Sequence, residues 1–231
     1  MVGIWGLLAS FECVHVHAQD TQFLPEIDGH LQLNSHTQLL FQAKDDREGG
    51  DPQQFTFGPS IQFYFKPLLK LKKITRFDLN DDKRRPLVFE SGYRIITAPN
   101  TPAENRALGS VTSHLPLMAG ILLSDRNRAD LDWQNAIFSW RYRNKLMLQR
   151  SVPISSYHFI PYLAAEPFYE SQYHKWSSTD LYVGCLFPAG KITEVDGYYE
   201  HENNTGKSPN RQENLIGAAL HFYFSSGRSA P

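Results

Sequence analysis

The sequence predicts an all-β fold, a single antiparallel up-and-down β-barrel of about ten strands. Three observations predict it. Past residue 28, apolar and polar residues alternate with a period of two, which is typical of strands with two different faces. No stretch combines a helical period with both helix caps. Of the 231 residues, 13% are aromatic and 20% are charged, and the alternation separates these two groups onto opposite faces.

Ten segments carry the alternation, and their lengths match the roughly 9–11 residues that a tilted strand needs to cross a bilayer. They span residues 31–44, 55–66, 87–97, 106–115, 122–133, 138–149, 157–169, 180–187, 194–201 and 216–224. The fourth segment is ambiguous because its residues are small. We place residues 66–85 in a long connection.

The polar face of the later segments carries long charged side chains of both signs. We call this set the lumen charge ladder: Arg126, Arg128, Arg141, Arg143, Lys145, Glu166, Asp180, Glu194, Asp196 and Glu200. If the sheet closes, the basic and acidic members are expected to face each other across a narrow lumen and to pair. The ladder is then either internal filling or a constriction that selects small ions or solutes.

The opposite face of the segments is apolar and aromatic, as on a transmembrane barrel. Closure of the sheet would satisfy every backbone group in lipid. Two alternatives remain open: a soluble sheet with a solvated charged face, and a secreted ligand-binding barrel of the lipocalin type. A lipid-facing barrel exposes Phe57, Trp140 and Leu148, whereas a lipocalin buries them.

An even number of strands predicts that both termini lie on the periplasmic side. The short links 116–119 and 188–191 fall on that side, and the longer links 45–54, 97–105 and 203–213 fall outside. Alternate residues 216–224 resemble the closing-strand pattern that the outer-membrane insertion machinery reads. We therefore expect the lipid bilayer and that machinery as partners.

The N-terminus predicts a cleaved export signal over residues 1–18, followed by a β-barrel domain over residues 19–231. An apolar stretch over residues 2–11 precedes Val16-His17-Ala18, which is close to the small-x-small cleavage pattern. The predicted location is therefore the bacterial outer membrane.

Five stretches resemble a family of uncharacterised bacterial proteins, called domain of unknown function 2490. They are LPEIDGHLQLN, QAKDDREGGDP, LSDRNRADL, FSWRYRNKL and YYEHENNTGKSPN, at residues 24–34, 42–52, 123–131, 138–146 and 198–210. The resemblance covers nearly the whole chain after residue 18. It implies an outer-membrane β-barrel and brings no established activity.

His201 is the one candidate for catalysis, and the sequence leaves enzymatic activity open. Residues 199–203 are similar to the His-x-Ser stretch of outer-membrane phospholipase A, whose catalytic His and Ser lie on the lipid-facing side. Asn203 occupies the nucleophile position, and an amide cannot attack an ester. A phospholipase would need Ser208 or another hydroxyl from the following loop. The alternative is a histidine at the barrel rim.

The remaining motifs predict no cofactor and no metal site. Asp78-x-Asn80-x-Asp82 begins like a calcium loop, but Lys83 takes the glycine position, so we expect a solvated turn. His30, His36, His158 and His221 are expected to share the polar face as hydrogen-bonded filler. Two Cys exclude a disulfide framework, and a net charge of −1 gives no reason to expect nucleic acid.

Overall fold

Twelve strands make up most of the described chain, which comprises residues 21–48, 50–65, 78–80, 82–154, 157–206 and 208–226. The computed structural model gives them as β1 Thr21–Asn34, β2 Thr37–Glu48, β3 Asp51–Phe65, β4 Leu87–Ala98, β5 Thr101–Pro116, β6 Ile121–Gln134, β7 Ile137–Arg150, β8 Val152–Ile154, β9 Tyr157–Glu170, β10 Lys175–Pro188, β11 Thr193–Asn204 and β12 Arg211–Ser225. Two short 3₁₀ turns span Asp82–Arg84 and Met118–Gly120. The predicted signal over residues 1–18 lies outside the described residues.

Eleven of these strands close a barrel, which confirms the predicted all-β barrel fold. The short β8 pairs with the start of β9 and is not one of the eleven. Within the described residues, no helix is long and apolar enough to cross a membrane.

The eleventh barrel strand comes from a tight turn that the alternation hides. The predicted first strand, 31–44, contains the turn at Ser35 and His36 that joins β1 to β2. Asn34 shapes this turn, because its Oδ1 accepts a hydrogen bond from the backbone N–H of His36 at 2.8 Å. Even-numbered residues face inward both before and after this two-residue turn. The pattern therefore continues as if the strand did.

An odd number of strands makes the closing seam parallel. β1 pairs with β12 in parallel, from Thr21 opposite Asn214 to Gln32 opposite Ser225. All the remaining strand pairs of the barrel are antiparallel. The start of β1 and the end of β12 therefore lie at opposite ends, which we call the N-terminal end and the C-terminal end. The expectation that both termini lie on one side is wrong.

The connections fall at the ends that the alternation predicts, although some are shorter. Residues 116–119 and 188–191 lie at the C-terminal end, and 45–54, 97–105 and 203–213 lie at the N-terminal end. Most of the expected links 45–54 and 97–105 belong to strands. The pairing of β2 with β3 extends as far as Glu48, and the pairing of β4 with β5 extends as far as Ala98.

The two faces of the barrel have opposite chemistry. Phe57, Trp140 and Leu148 point outward, with 39%, 40% and 45% of their surfaces exposed. Charged side chains such as Asp130 and Glu166 point inward and are buried. The face predicted for each of these residues is the face that it occupies.

Candidate functional site in the barrel lumen

The lumen holds a cavity of about 1320 Å³. All ten residues of the lumen charge ladder line it. Among the described residues that line it, nine are Lys or Arg and fourteen are Asp or Glu. With the histidines neutral and the carboxylates ionised, the lining is acidic.

The basic wall, formed by β5, β6 and β7, is compensated by its nearest strands. Glu166 on β9 accepts from Arg126 at 2.9 Å and lies 3.2 Å from the Arg143 Nε and 3.5 Å from the Lys145 Nζ. Its side chain is almost fully buried. This carboxylate therefore joins three cations of β6 and β7.

Asp130 forms a second centre of charge on the same wall. It is fully buried, with Arg128 Nε at 2.6 Å and Arg141 Nε at 3.5 Å. The neighbouring Asp132 pairs with Arg106 of β5 at 2.6 Å. Together these contacts link β5, β6 and β7 through inward side chains.

The acidic wall, formed by β10 and β11, lacks such compensation. Asp180, Glu194, Asp196 and Glu200 form no ion pair with any residue that the structure describes. Three of them accept hydrogen bonds from tyrosine hydroxyl groups. Tyr162 donates to Asp196 at 3.0 Å, Tyr182 to Asp180 at 3.2 Å and Tyr223 to Glu194 at 3.4 Å.

The ladder pairs only in part as predicted. Of its acidic members, Glu166 pairs with basic members of the ladder, whereas the other four form no ion pair among the described residues. The other acidic partners of its basic members are Asp130, Asp132 and Glu170, which lie on β6 and β9 and not on β10 or β11. Side chains that point inward from adjacent strands lie about 5 Å apart, so ion pairs between neighbouring strands are favoured over pairs across the lumen. The result is a lumen with a compensated basic wall and an acidic wall whose carboxyl groups form no ion pair among the described residues.

Several lumen residues were not among the predicted site residues. Arg94 on β4 is buried and donates to Pro59 O and Ser60 Oγ, each at 2.8 Å. Arg106 was missed because small residues obscure the alternation of the fourth segment. Its parity with Leu108, which faces inward, could have revealed it.

The end of the β3–β4 connection folds back against the lumen at its C-terminal end. The backbone N–H groups of Asn80 and Asp82 bond the side chains of Asp78 and Asn80 at 3.0 and 3.1 Å. Lys83 pairs with the buried Asp78. The expected solvated turn is therefore wrong: the lysine that replaces the calcium-loop glycine supplies a cation for Asp78.

This folded-back segment touches the acidic wall. The backbone N–H of Leu79 donates to Glu194 Oε2 at 3.3 Å. Burial raises the pKa of Asp82 to about 7, although Lys83 opposes the shift. Burial lowers the pKa of Lys83, but the carboxylates of Asp78, Glu194 and Asp82 together outweigh it and the net shift is upward.

The four histidines of the predicted polar face do not stay together. His36 in the β1–β2 turn and His158 at the start of β9 are exposed. His30 and His221 meet inside the barrel, with ring centroids 6.1 Å apart. Their neighbour Asp28 was absent from the predicted set.

His201, the catalytic candidate, lies on the outer face of β11 and bonds an amide. Its Nδ1 lies 2.9 Å from Asn214 Oδ1, which also accepts from the Tyr199 hydroxyl at 2.6 Å. Ser208 lines a separate small cavity with Tyr173 and Arg211. The ring is thus held by Asn214, which cannot act as a nucleophile.

Neither a scan of known protein families nor a search of curated proteins finds a match to this chain. The resemblance to the domain of unknown function 2490 family stays a prediction.

Proposed function

We propose that this protein is an integral outer-membrane β-barrel with a narrow, charge-lined lumen that favours small cations. One observation carries the proposal: the barrel is apolar outside and charged inside. Large apolar side chains exposed on its outer face include Phe23, Ile27, Phe41, Phe57, Phe63, Trp140, Leu148, Leu163, Val183 and Ile216.

The apolar outer face favours a lipid environment. Leu148, Leu163 and Val183 lie side by side on β7, β9 and β10, and all three are exposed. A water-soluble protein rarely exposes a continuous apolar surface of this kind. In a bilayer the same surface is solvated by lipid, and closure leaves no barrel strand edge unpaired.

The charged interior disfavours a lipocalin. A lipocalin encloses its ligand in a barrel mouth lined mainly by apolar side chains. Here Arg94, Asp130, Glu166 and Glu194 are among the most buried residues. Such an interior suits water and ions, and its surplus of carboxylates favours cations electrostatically.

The sequence supports an orientation as well. The resemblance of β12 to the closing strand read by the insertion machinery favours a periplasmic C-terminal end. The folded-back segment at Asp78 and Lys83 would then narrow the lumen from the periplasmic side. The predicted export signal and the family resemblance support the outer-membrane location.

Membrane insertion can be tested by extraction. We expect the mature protein to leave membranes only with detergent and to show heat-modifiable mobility in gels. A mature protein that stays folded and soluble without detergent would contradict the membrane proposal.

Selectivity can be tested separately in planar bilayers. We expect conductance with a reversal potential that favours cations under a salt gradient. Arg141→Ala and Arg143→Ala should increase that preference, because each removes positive charge from the lumen. If the barrel inserts but neither substitution changes conductance or reversal potential, the charged side chains only fill the interior and do not form a charge-selective pore.

A further inference from the structure

We propose that Asp28, His30 and His221 form a binding site for a divalent transition-metal ion of the zinc type inside the barrel. One candidate ligand atom from each residue lies within 4.8 Å of the other two. Imidazole nitrogen and carboxylate oxygen are the ligands that such ions take, with bonds of about 2.0–2.2 Å. Small side-chain adjustments would bring all three to one ion.

The parallel seam creates the site. Asp28 on β1 lies directly opposite His221 on β12, and His30 follows two residues later on the same inward face. His221 is distant in sequence from Asp28 and His30, and it meets them because β12 pairs with β1 in this parallel register. None of the predicted sequence motifs contains this combination.

Each of the three side chains has a buried atom that lacks a hydrogen-bond partner. These atoms are Asp28 Oδ1, His30 Nε2 and His221 Nδ1. Asp28 is 6% exposed and His30 is 5% exposed. Buried polar atoms normally have a partner, and one shared ion would give all three of these atoms a partner.

The contact between Asp28 and His221 fits a shared cation. Asp28 Oδ2 lies 3.1 Å from His221 Nδ1, although the Nδ1 atom lacks hydrogen-bond geometry. Two ligand atoms bound to one ion at about 2.1 Å lie roughly 3.0–3.4 Å apart in octahedral or tetrahedral coordination. The separation is thus already that of neighbouring ligands.

Neighbouring residues orient His30 for metal binding. Its Nδ1 lies 3.3 Å from Gln38 Oε1, and the Gln38 amide is itself held by donating to Gln32 Oε1 at 3.2 Å. If His30 Nδ1–H donates to Gln38, the lone pair of the ring is on Nε2, the atom without a partner. Such an outer partner is usual for metal-binding histidines. Tyr223 stacks on the ring at 4.6 Å and limits its rotation.

The site opens to the lumen. Asp28, His30 and His221 all line the main cavity, so an ion can reach them from the lumen. Three protein ligands leave a fourth position for water or a small solute. The nearby acidic wall would raise the local concentration of cations. This inference requires the closed barrel but not membrane insertion or conductance.

Zn²⁺ alone is the probe for a direct test. The folded full-length protein is stripped with a chelator, freed of it and titrated with Zn²⁺ by calorimetry; Co²⁺ absorption reports the ligand set. We expect one ion per barrel. His30→Ala, His221→Ala and Asp28→Asn should each weaken binding more than about tenfold, and Gln38→Leu should weaken it about tenfold or more.

Matched histidine variants serve as controls. His36→Ala and His158→Ala remove exposed histidines outside the cluster and should leave Zn²⁺ affinity unchanged. Folding of each variant is checked by heat-modifiable mobility, and His30→Gln and His221→Gln replace any alanine variant that fails to fold. Absence of stoichiometric binding, or equal affinity in the parent and in folded His30 and His221 variants, would overturn the proposal.

Discussion

Arg143 on β7 and Glu166 on β9 form an ion pair inside the barrel, with the guanidinium Nε 3.2 Å from the carboxylate Oε1. Arg126 and Lys145 share the same carboxylate. Glu166 therefore neutralises a cluster of positive charge that no other strand compensates as closely.

Loss of this carboxylate should strongly destabilise the protein. Glu166→Ala leaves three cations without their shared partner, and breaking a buried ion pair costs about 3–5 kcal/mol. The free energy of unfolding in detergent, followed by tryptophan fluorescence, measures the effect. Arg211→Ala is the matched control, because its pair with Glu213 is exposed at Arg211 and is worth about 1 kcal/mol or less. An equal loss of unfolding free energy in both variants would show that the Glu166 ion pairs stabilise the barrel no more than an exposed pair does.

A charge on the outer face tests what surrounds the barrel. Leu163 lies between Leu148 and Val183 on that face. In a bilayer, Leu163→Arg should lower the free energy of unfolding by about 2–4 kcal/mol, the cost near the midplane. Tyr157→Arg, at the exposed start of β9, should cost about 0–1 kcal/mol, as near the membrane interface. Equal small effects in lipid would argue against a lipid-facing belt.

Asp82 should make the folded-back segment sensitive to pH. Its pKa is about 7 in the folded protein, above the ordinary value of 3.8, so the folded state favours the protonated form. The contribution of Asp82 to the stability of the docked segment is therefore fully present below about pH 4 and is lost as the pH rises to about 7. Among the described residues, the charged groups that act most strongly on Asp82 are Lys83, Asp78 and Glu90.

Conductance in planar bilayers measures this effect. We expect conductance to rise between about pH 4 and pH 7 and then to level off, because a loosened segment narrows the lumen less. Asp82→Asn should flatten that rise, whereas Asp51→Asn, at the exposed β2–β3 hairpin, should retain it. A parent-like pH profile in Asp82→Asn would rule out Asp82 as its origin.

Two inward glycines make room for tyrosine rings. A side chain at Gly184 would overlap the ring of Tyr162, its cross-strand neighbour, and one at Gly217 would overlap Tyr198 in the same way. Gly184→Ala should therefore cost about 1–3 kcal/mol of unfolding free energy through overpacking. It should also disturb the hydroxyl bond from Tyr162 to Asp196. Gly109→Ala meets no atom within 4 Å and should be close to neutral.

The alternation predicts the faces of the strands but not where one strand ends. The inward parity of Gln38, Glu166 and Asp180 follows from period two alone. The turn at Ser35 and His36 keeps that parity, so nothing in the hydrophobic pattern distinguishes the β1–β2 hairpin from one long strand. Asn34, which bonds the His36 N–H, was the available turn signal.

The charged interior could be predicted as a set but not as pairs. Parity places Arg141 and Arg143 inside, yet their partners depend on which strands are neighbours and in which register. Asp28 and His221 are a stronger case, because their contact depends on the parallel seam. A strand count that is wrong by one removes that seam and the contact with it.

The seam between β1 and β12 also sets the order of assembly. All the other pairings in the barrel join strands that are close in sequence. Gln22 on β1, in contrast, donates a hydrogen bond to Glu213 on β12, 191 positions away. A chain that ends before Arg211 would hold ten strands in an open sheet with two unpaired edges. Asp28 and His221 meet only when the last strand docks, so an ion bound there would report that the barrel is complete.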